Sequence, residues 1–276
     1  MSCLAEGTWS LPSVPSAADA ARATSAHPLI IGASPGTTGT MSLYFALKML
    51  GISTVHYTRH YNATARAEYT TYGESPPGAP VPLIRPLFGA MPPTGGPPPL
   101  DLPAARHADL RFLNATDALI DTPSMELFFE LLATFPNARV VLTAREPRAW
   151  AASRRRRHPS DAAPLFAQLG FAVPVGAITE DQARRAPDPP RLRARPHAAR
   201  RAQAAAAFAL WQRVVGGSVP PNRLLILDLF APRESDAELW QALADFVGAP
   251  PPAAGPDGSL PPFPHMRYGE DMRLPP

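Results

Sequence analysis

A glycine-rich turn between a predicted strand and a predicted helix constrains the fold of this chain more than any other feature. The segment reads IIGASPGTTGTMSL from Ile30 to Leu43. Its apolar start, PLIIGA at 28–33, is typical of a buried parallel strand, and the apolar residues between Gly39 and Leu50 recur at close to helical spacing. Such a turn presents backbone N–H groups and the positive end of a helix dipole to an anion. The segment nevertheless contains neither lysine nor arginine.

Two common phosphate-binding motifs do not fit this turn. A Walker A loop, G-x-x-x-x-G-K-[ST], would need glycine in place of Ser34, lysine in place of Thr40 and a hydroxyl in place of Met41. A dinucleotide fingerprint needs G-x-G-x-x-G, and the glycines of the turn miss that spacing. A P-loop kinase is therefore the less favoured alternative.

Strands and helices are predicted to alternate along the rest of the chain. Strands alternating with helices form a parallel sheet that is covered on both faces, so the fold class is α/β, a three-layer sandwich with a mainly parallel sheet. The further predicted strands are STVHY (53–57), a short strand in DALIDTPS, ARVVLTARE (138–146) and RLLILDLF (223–230). The predicted helices are Met125–Phe135, a helix that starts at Pro147, Arg200–Val215 and Asp236–Val247. Ser124 is the predicted cap of the helix at 125–135.

Length and proline content suggest the domain organisation. A chain of 276 residues is long enough for one large domain, and its 37 prolines concentrate in segments that we interpret as loops. We predict a loose tail at 1–27, a single domain at 28–268 with irregular insertions at 74–103 and 154–195, and a C-terminal tail at 269–276.

Charge and cysteine content exclude several classes of function. The single cysteine, Cys3, leaves no disulfide framework and no cysteine-based zinc site, and the net charge of +3 does not demand a nucleic acid. The basic run Arg154–Arg157 lacks interleaved aromatic residues, so we interpret it as a solvated helix face or a surface for phosphates rather than a nucleic-acid site. No segment has the length and apolarity of a membrane span or a secretory signal, and we expect a cytoplasmic protein.

Three segments resemble the P-loop sulfotransferases. GASPGTTGTMSLYFALKMLG is similar to the phosphosulfate loop of a subfamily that reads approximately G-A-G-F-G-R-T-G-T-x-S-L. The second segment is LIDTPSMELFFELLATFPNARVVLTAREPRAWAAS, which matches that subfamily's D-x-P, E-L-L, F-P-x-A, V-x-L-T and R-[DE]-P…W…S motifs in order. The third consists of PPNRLLILDLF, FVGAPPP and FPH, which match its C-terminal part. The resemblance covers roughly 30–57, 117–153 and 200–268.

This resemblance implies a P-loop NTPase-like fold and a defined reaction. A sulfuryl group would pass from 3′-phosphoadenosine-5′-phosphosulfate (PAPS) to a hydroxyl or amine of a small-molecule or glycan acceptor, with no metal. It implies that Arg145 and Ser153 bind the 3′-phosphate of the donor. The family's base precedes a proline, a position that Asp121 occupies here, with His56 and His60 as alternatives. The loop residues implied in donor binding are Gly36, Thr37, Thr38, Gly39, Thr40 and Ser42.

The chain departs from the family pattern at Thr37, where a lysine or arginine contacts the phosphosulfate. Two explanations stay open. Either an arginine from elsewhere reaches the loop, with Arg59 as the first candidate, or activity is weak or lost and the chain is a non-catalytic nucleotide-binding relative. Removing a comparable electrostatic contact lowers rates about 10²- to 10³-fold.

Overall fold

A seven-stranded sheet forms the centre of the protein. The computed structural model describes residues 29–57, 59–70, 84–89, 100–157, 197–233 and 235–265. Within these ranges the strands are β1 (Ile30–Gly32), β2 (Thr54–His56), β3 (Arg59–Asn62), β4 (Ala67–Thr70), β5 (Ala118–Ile120), β6 (Arg139–Ala144) and β7 (Leu224–Asp228). Their order in the sheet is β4-β3-β2-β5-β1-β6-β7. β2, β5, β1, β6 and β7 run parallel, whereas β3 and β4 add an antiparallel hairpin at one edge.

Helices cover both faces of the sheet. They are α1 (Thr40–Met49), α2 (Leu102–His107), α3 (Phe128–Thr134), α4 (Pro147–Arg157), α5 (His197–Ser218) and α6 (Ala237–Val247). Alternate strand residues point to opposite faces. Thus Ile31 and Leu119 pack against α3, α4 and α5, while their neighbours Ile30 and Ile120 pack against α1 and α6. The predicted three-layer α/β fold with a mainly parallel sheet is confirmed. None of the described helices has the length and apolarity to cross a membrane.

The predicted start of the helix at 125–135 is wrong. α3 begins only at Phe128, and Ser124 does not cap it. Instead the Ser124 hydroxyl lies 2.6 Å from the carbonyl oxygen of Gly32 and 2.5 Å from that of Asp121. A serine hydroxyl satisfies backbone groups locally in turns as well as at helix ends. Here it joins the ends of the neighbouring strands β1 and β5.

Short stretches of both predicted insertions are described by the structure. The described part of 74–103 contains a 3₁₀ turn at Arg85–Leu87, a bridge between Phe88 and Leu100, and the start of α2. Asp101 caps α2 by accepting a hydrogen bond from the N–H of Ala104 at 3.1 Å. The first residues of the predicted insertion at 154–195 form the last turn of α4. Residues 71–83, 90–99 and 158–196, together with both predicted tails, lie outside the described residues.

Two buried tryptophans allow a matched test of how the sheet supports the turn after β1. Trp211 of α5 donates its Nε1–H to the carbonyl of Ala33 at 2.7 Å, and Trp240 of α6 donates to that of Pro261 at 2.7 Å on the other face. We expect phenylalanine at either position to lower the free energy of unfolding by about 1–3 kcal/mol, because a buried carbonyl loses its donor. Only Trp211→Phe should speed hydrogen exchange of the amides at 33–39. Denaturant unfolding and exchange measured by mass spectrometry check this, and unchanged stability of Trp211→Phe would contradict it.

Candidate functional site

The turn between β1 and α1, residues 33–39, is fastened to β6 by side-chain hydrogen bonds. Ser34 Oγ accepts from the N–H of Thr143 at 2.7 Å and lies 3.2 Å from the carbonyl oxygen of the same residue, to which it donates. Thr38 Oγ1 donates to the carbonyl of Pro35 at 2.7 Å and accepts from Thr143 Oγ1 at 2.9 Å. The hydroxyl of Thr38 is thus engaged within the loop, which leaves its backbone N–H as its contribution to an anion site.

Three carbonyl groups of the loop are bonded to donors from neighbouring helices and strands. Trp211 binds the carbonyl of Ala33, and Trp150 of α4 donates its Nε1–H to that of Gly36 at 3.1 Å. Arg145 Nη1 donates to the carbonyl of Thr37 at 2.5 Å. A carbonyl that already accepts a hydrogen bond repels an approaching anion less. The three carbonyl groups are thus occupied by donors from other parts of the fold.

Two residues of the loop have left-handed backbone conformations. Gly39 has a φ of 92°, which strains any other residue, and a methyl group placed on it would lie 2.7 Å from Leu229 Cδ1. Thr37 has a φ of 71°, which is unfavourable for a β-branched residue. Its buried hydroxyl has no hydrogen-bond partner among the described residues. Strain and an unsatisfied buried hydroxyl on one residue are typical of a functional loop.

Arg145, implied at the 3′-phosphate, directly follows β6. Its guanidinium lies over the ring of Phe230 at 4.1 Å from the centroid, and its carbonyl accepts a hydrogen bond from Gln212 Nε2 at 3.0 Å. Burial, and secondly the charge of Arg156, lower the pKa of Arg145, although an arginine stays cationic at neutral pH. Ser153, implied at the same phosphate, is buried on α4.

An acid–base pair lies at the carboxyl ends of the adjacent parallel strands β2 and β5. His56 ends β2 and Asp121 follows β5, and His56 Nε2 lies 3.3 Å from Asp121 Oδ2 and 3.3 Å from Thr40 Oγ1. Burial lowers the pKa of His56, with the charge of Asp121 opposing this, so the imidazole is neutral at neutral pH. Asp121 has a φ of 65°, a conformation that aspartate tolerates better than most residues.

His60 does not join this pair. The His56 ring contacts Tyr44 of α1, with centroids 5.9 Å apart, so it lies on the face of the sheet that α1 covers. Tyr61 packs into the core on that same face, and the alternation along β3 turns His60 to the opposite face.

Arg59 is also directed elsewhere. Its guanidinium binds the carboxylate of Glu68 on β4 and lies over the ring of Phe45, at 5.8 Å from the centroid. Glu68 binds Lys48 of α1 as well, so Arg59 belongs to the charge network that attaches the hairpin to this helix. Besides Arg145, a second arginine reaches the loop, Arg154 of α4. Its Nη1 lies 2.6 Å from the position of a methyl group placed on Gly36.

Arg154 belongs to the run of four arginines that we interpreted as a solvated helix face or a surface for phosphates, without distinguishing it from the other three. One signal does point to it, since it follows Trp150 by four residues and so shares its helix face. Asp121 Oδ1 lies 3.4 Å from the same methyl position on Gly36. The Asp121 carboxylate therefore faces His56 with one oxygen and the loop, beside the Arg154 guanidinium, with the other.

A second carboxyl group, Glu126, was also missed. It is buried; Oε1 accepts from Thr122 Oγ1 at 3.1 Å, and Oε2 has no hydrogen-bond partner among the described residues. Burial raises the pKa of Glu126 to about 7, the charge of Asp121 adds to this, and that of Arg154 opposes it. A glutamate inside the apolar segment SMELFFELL, five residues after Asp121, was the available signal.

The comparison with protein families settles the relationship of the chain. A family model described as a sulfotransferase domain matches residues 29–272. The chain belongs to the sulfotransferase family. The predicted membership of the sulfotransferase family is thereby confirmed, and the match also spans the segments between the three that resemble it. Among the curated proteins no relative was found. Within the described ranges of this sulfotransferase, no three side chains of the usual ligand types cluster as a metal site requires.

The buried carboxyl of Glu126 should make the stability of this sulfotransferase depend on pH. Because its pKa is raised from 4.5 to about 7, the native state binds a proton that the unfolded chain releases, and stability falls as the pH rises through that window. Glu126→Gln should remove this loss, so that the variant gains up to about 3 kcal/mol over the wild type between pH 4.5 and pH 8. Denaturant unfolding at several pH values measures the difference.

Glu238→Gln on the exposed surface of α6 is the matched control for the loss of one carboxyl group. A pH-independent difference for Glu126→Gln would contradict a neutral buried carboxyl.

Proposed function

We propose that this sulfotransferase moves a sulfuryl group from PAPS to a hydroxyl or amine of a small-molecule or glycan acceptor, without a metal ion. The observation that carries the proposal is the pairing of Asp121 with His56 beside a loop built to bind an anion. A carboxylate beside such a loop is positioned to take a proton from an acceptor.

The residues around the loop suit an adenosine donor with two anionic groups. The loop amides and the free hydroxyl of Thr37 would bind the phosphosulfate. Arg145 and the Ser153 hydroxyl would bind the 3′-phosphate, because a guanidinium offers forked donors to a phosphate. The exposed ring of Phe230 already supports the Arg145 guanidinium from one side.

Asp121 has the role of general base in this proposal. Its Oδ1 accepts the proton of the acceptor hydroxyl or amine as the acceptor atom attacks sulfur. The bond between sulfur and the bridging oxygen breaks, and its electron pair stays on the 5′-phosphate of adenosine 3′,5′-bisphosphate. Neutral His56 donates its Nε2–H to Asp121 Oδ2 and thereby orients the carboxylate, the arrangement in which a third group positions a base.

The lack of a basic residue at position 37 favours a second candidate function. A relative that binds the nucleotide without catalysis would not need that charge. The alternative of a P-loop kinase is not favoured, since the family match adds to the missing Walker lysine.

Ligand preference tests the donor. We expect adenosine 3′,5′-bisphosphate to bind more tightly than ATP with magnesium, because ATP lacks the 3′-phosphate that Arg145 would bind. Arg145→Ala should weaken bisphosphate binding by about 1.5–3 kcal/mol, the usual scale for a charged hydrogen bond. Calorimetry measures both, with Arg148→Ala on the exposed side of α4 as the control. Equal affinities for the two nucleotides in the wild type would reject the donor assignment.

Asparagine at position 121 tests the base. Asn also tolerates a left-handed φ, so Asp121→Asn should keep the backbone while removing the proton acceptor. We expect turnover to fall about 10²- to 10⁴-fold and bisphosphate affinity to stay within a few-fold. Turnover is measured as adenosine 3′,5′-bisphosphate released from PAPS with a panel of phenols, alcohols and amines. Full activity of the variant would reject Asp121 as base, and a wild type that binds the bisphosphate but is silent across the panel would favour the non-catalytic candidate.

A further inference from the structure

The loop itself carries no cation, yet a guanidinium lies against its backbone. From Gly32 to Leu43 the chain has no lysine or arginine. Arg154 reaches this segment from α4, and both its Nη1, at 2.6 Å, and its Cζ, at 3.8 Å, lie close to the position of a methyl group on Gly36. A ligand bound to the loop would therefore meet a full positive charge in addition to backbone dipoles.

The identity of residue 36 follows from this contact. The backbone of Gly36 lies outside the left-handed region, so its conformation does not require glycine. A side chain at this position would instead have to displace the Arg154 guanidinium, since even a methyl group would lie 2.6 Å from Nη1. Glycine at this position keeps the charge against the loop.

Helix α4 holds this contact in place through a second residue. Trp150 and Arg154 are four residues apart on α4, and both meet Gly36: the indole binds its carbonyl and the guanidinium lies beside its Cα. Trp150 is fully buried and stacks on Phe208 of α5 with ring centroids 4.5 Å apart. The helix therefore has a fixed position from which Arg154 extends.

The other arginines near the site face different groups. Arg145 binds the carbonyl of Thr37 and stacks on Phe230, and Arg59 binds Glu68. The Asp121 carboxylate shares the surroundings of Gly36 with Arg154. The proposed base and the Arg154 guanidinium therefore both lie beside Gly36.

We propose that Arg154 is a catalytic residue that supplies the positive charge of the phosphosulfate loop, in place of a basic residue at position 37. The inference rests on the proposed function. The guanidinium binds the 5′-phosphosulfate and stabilises the charge that grows on the bridging oxygen as the sulfur–oxygen bond breaks. Preorganised donors of this kind act more strongly on the transition state than on the bound donor.

Nucleotide binding tests the position of the charge without an acceptor. The probes are adenosine 3′,5′-bisphosphate, adenosine 3′-monophosphate and adenosine 5′-monophosphate, measured by calorimetry. We expect Arg154→Met to remove most of the affinity that the 5′-phosphate adds over adenosine 3′-monophosphate, a loss of about 10- to 100-fold. The affinity that the 3′-phosphate adds over adenosine 5′-monophosphate should persist in this variant. Arg155→Met, at the next and exposed position of α4, is the matched control and should leave all three affinities unchanged.

Gly36→Ala provides a second route to the same contact. The added methyl should displace the guanidinium and reproduce the loss of 5′-phosphate discrimination, and it should have little further effect in the Arg154→Met background. In turnover with PAPS and the acceptor panel, Arg154→Met should lower kcat about 10²- to 10³-fold, more than it raises KM, and Arg154→Lys should recover part of kcat. Thermal unfolding followed by circular dichroism establishes that each variant is folded.

The possible failures are distinguishable. A wild type that does not bind adenosine 3′,5′-bisphosphate overturns the proposed function and this inference together. A wild type that binds it, with unchanged 5′-phosphate discrimination in folded Arg154→Met, overturns this inference alone. Equal losses in Arg154→Met and Arg155→Met would show a general effect of charge and would also overturn it.

Discussion

The reciprocal hydrogen bonds between the Ser34 side chain and the backbone of Thr143 determine the rest of the site. The ladder between β1 and β6 ends with the N–H of Ala33, which donates to the carbonyl of Val141 at 3.0 Å. Beyond that point the main chain leaves the sheet, and the Ser34 hydroxyl takes over as both acceptor and donor. The Ser34 side chain thereby makes the hydrogen bonds to β6 that strand backbone would otherwise make. The loop can therefore turn across the end of the sheet and still stay attached to β6. Arg145, two residues after Thr143, consequently meets the loop at Thr37.

The position of the site follows from the strand order. β1 lies in the middle of the sheet, with β5 and β2 on one side and β6 and β7 on the other. The connections that follow neighbouring strands therefore run to opposite sides. In open α/β sheets such a switch point forms a crevice at the carboxyl ends of the strands. His56, Asp121 and Arg145 are contributed by three different strand ends. Their burial is costly for each ionised group alone, and proximity to an opposite charge or a hydrogen-bond donor offsets that cost. The lowered pKa of His56 and the raised pKa of Glu126 follow the same logic, because burial without a full partner favours the uncharged form.

The elements that could be predicted from the sequence are those with a strong local pattern of apolar residues. Apolar runs such as 138–146 identified the parallel strands and the α/β class, because a strand buried on both faces must be apolar throughout. The hairpin of β3 and β4 was missed, since RHYN and AEYT are short and polar and are stabilised by Glu68 contacts with α1 that no local pattern reveals. Asp121 was predicted from the family's position before a proline, with His56 as an alternative, and the structure brings the two side chains together. Arg154 was not distinguished from its neighbours, because a helix face becomes a site only through what packs against it. The contact between the Arg154 guanidinium and Gly36 is visible only in three dimensions.

The indole groups that bind the loop give the protein an internal optical probe. It has four tryptophans, and Trp150 and Trp211 each donate the Nε1–H to a loop carbonyl, at Gly36 and Ala33. Indole emission responds to the strength of that hydrogen bond and to charge nearby. Trp240 is equally buried but binds Pro261 on the other face of the sheet, where it contributes a constant background. We therefore expect an anion that enters the loop to change the emission of Trp150 and Trp211, and substitutions at these two tryptophans would separate the signals from the two ends of the loop.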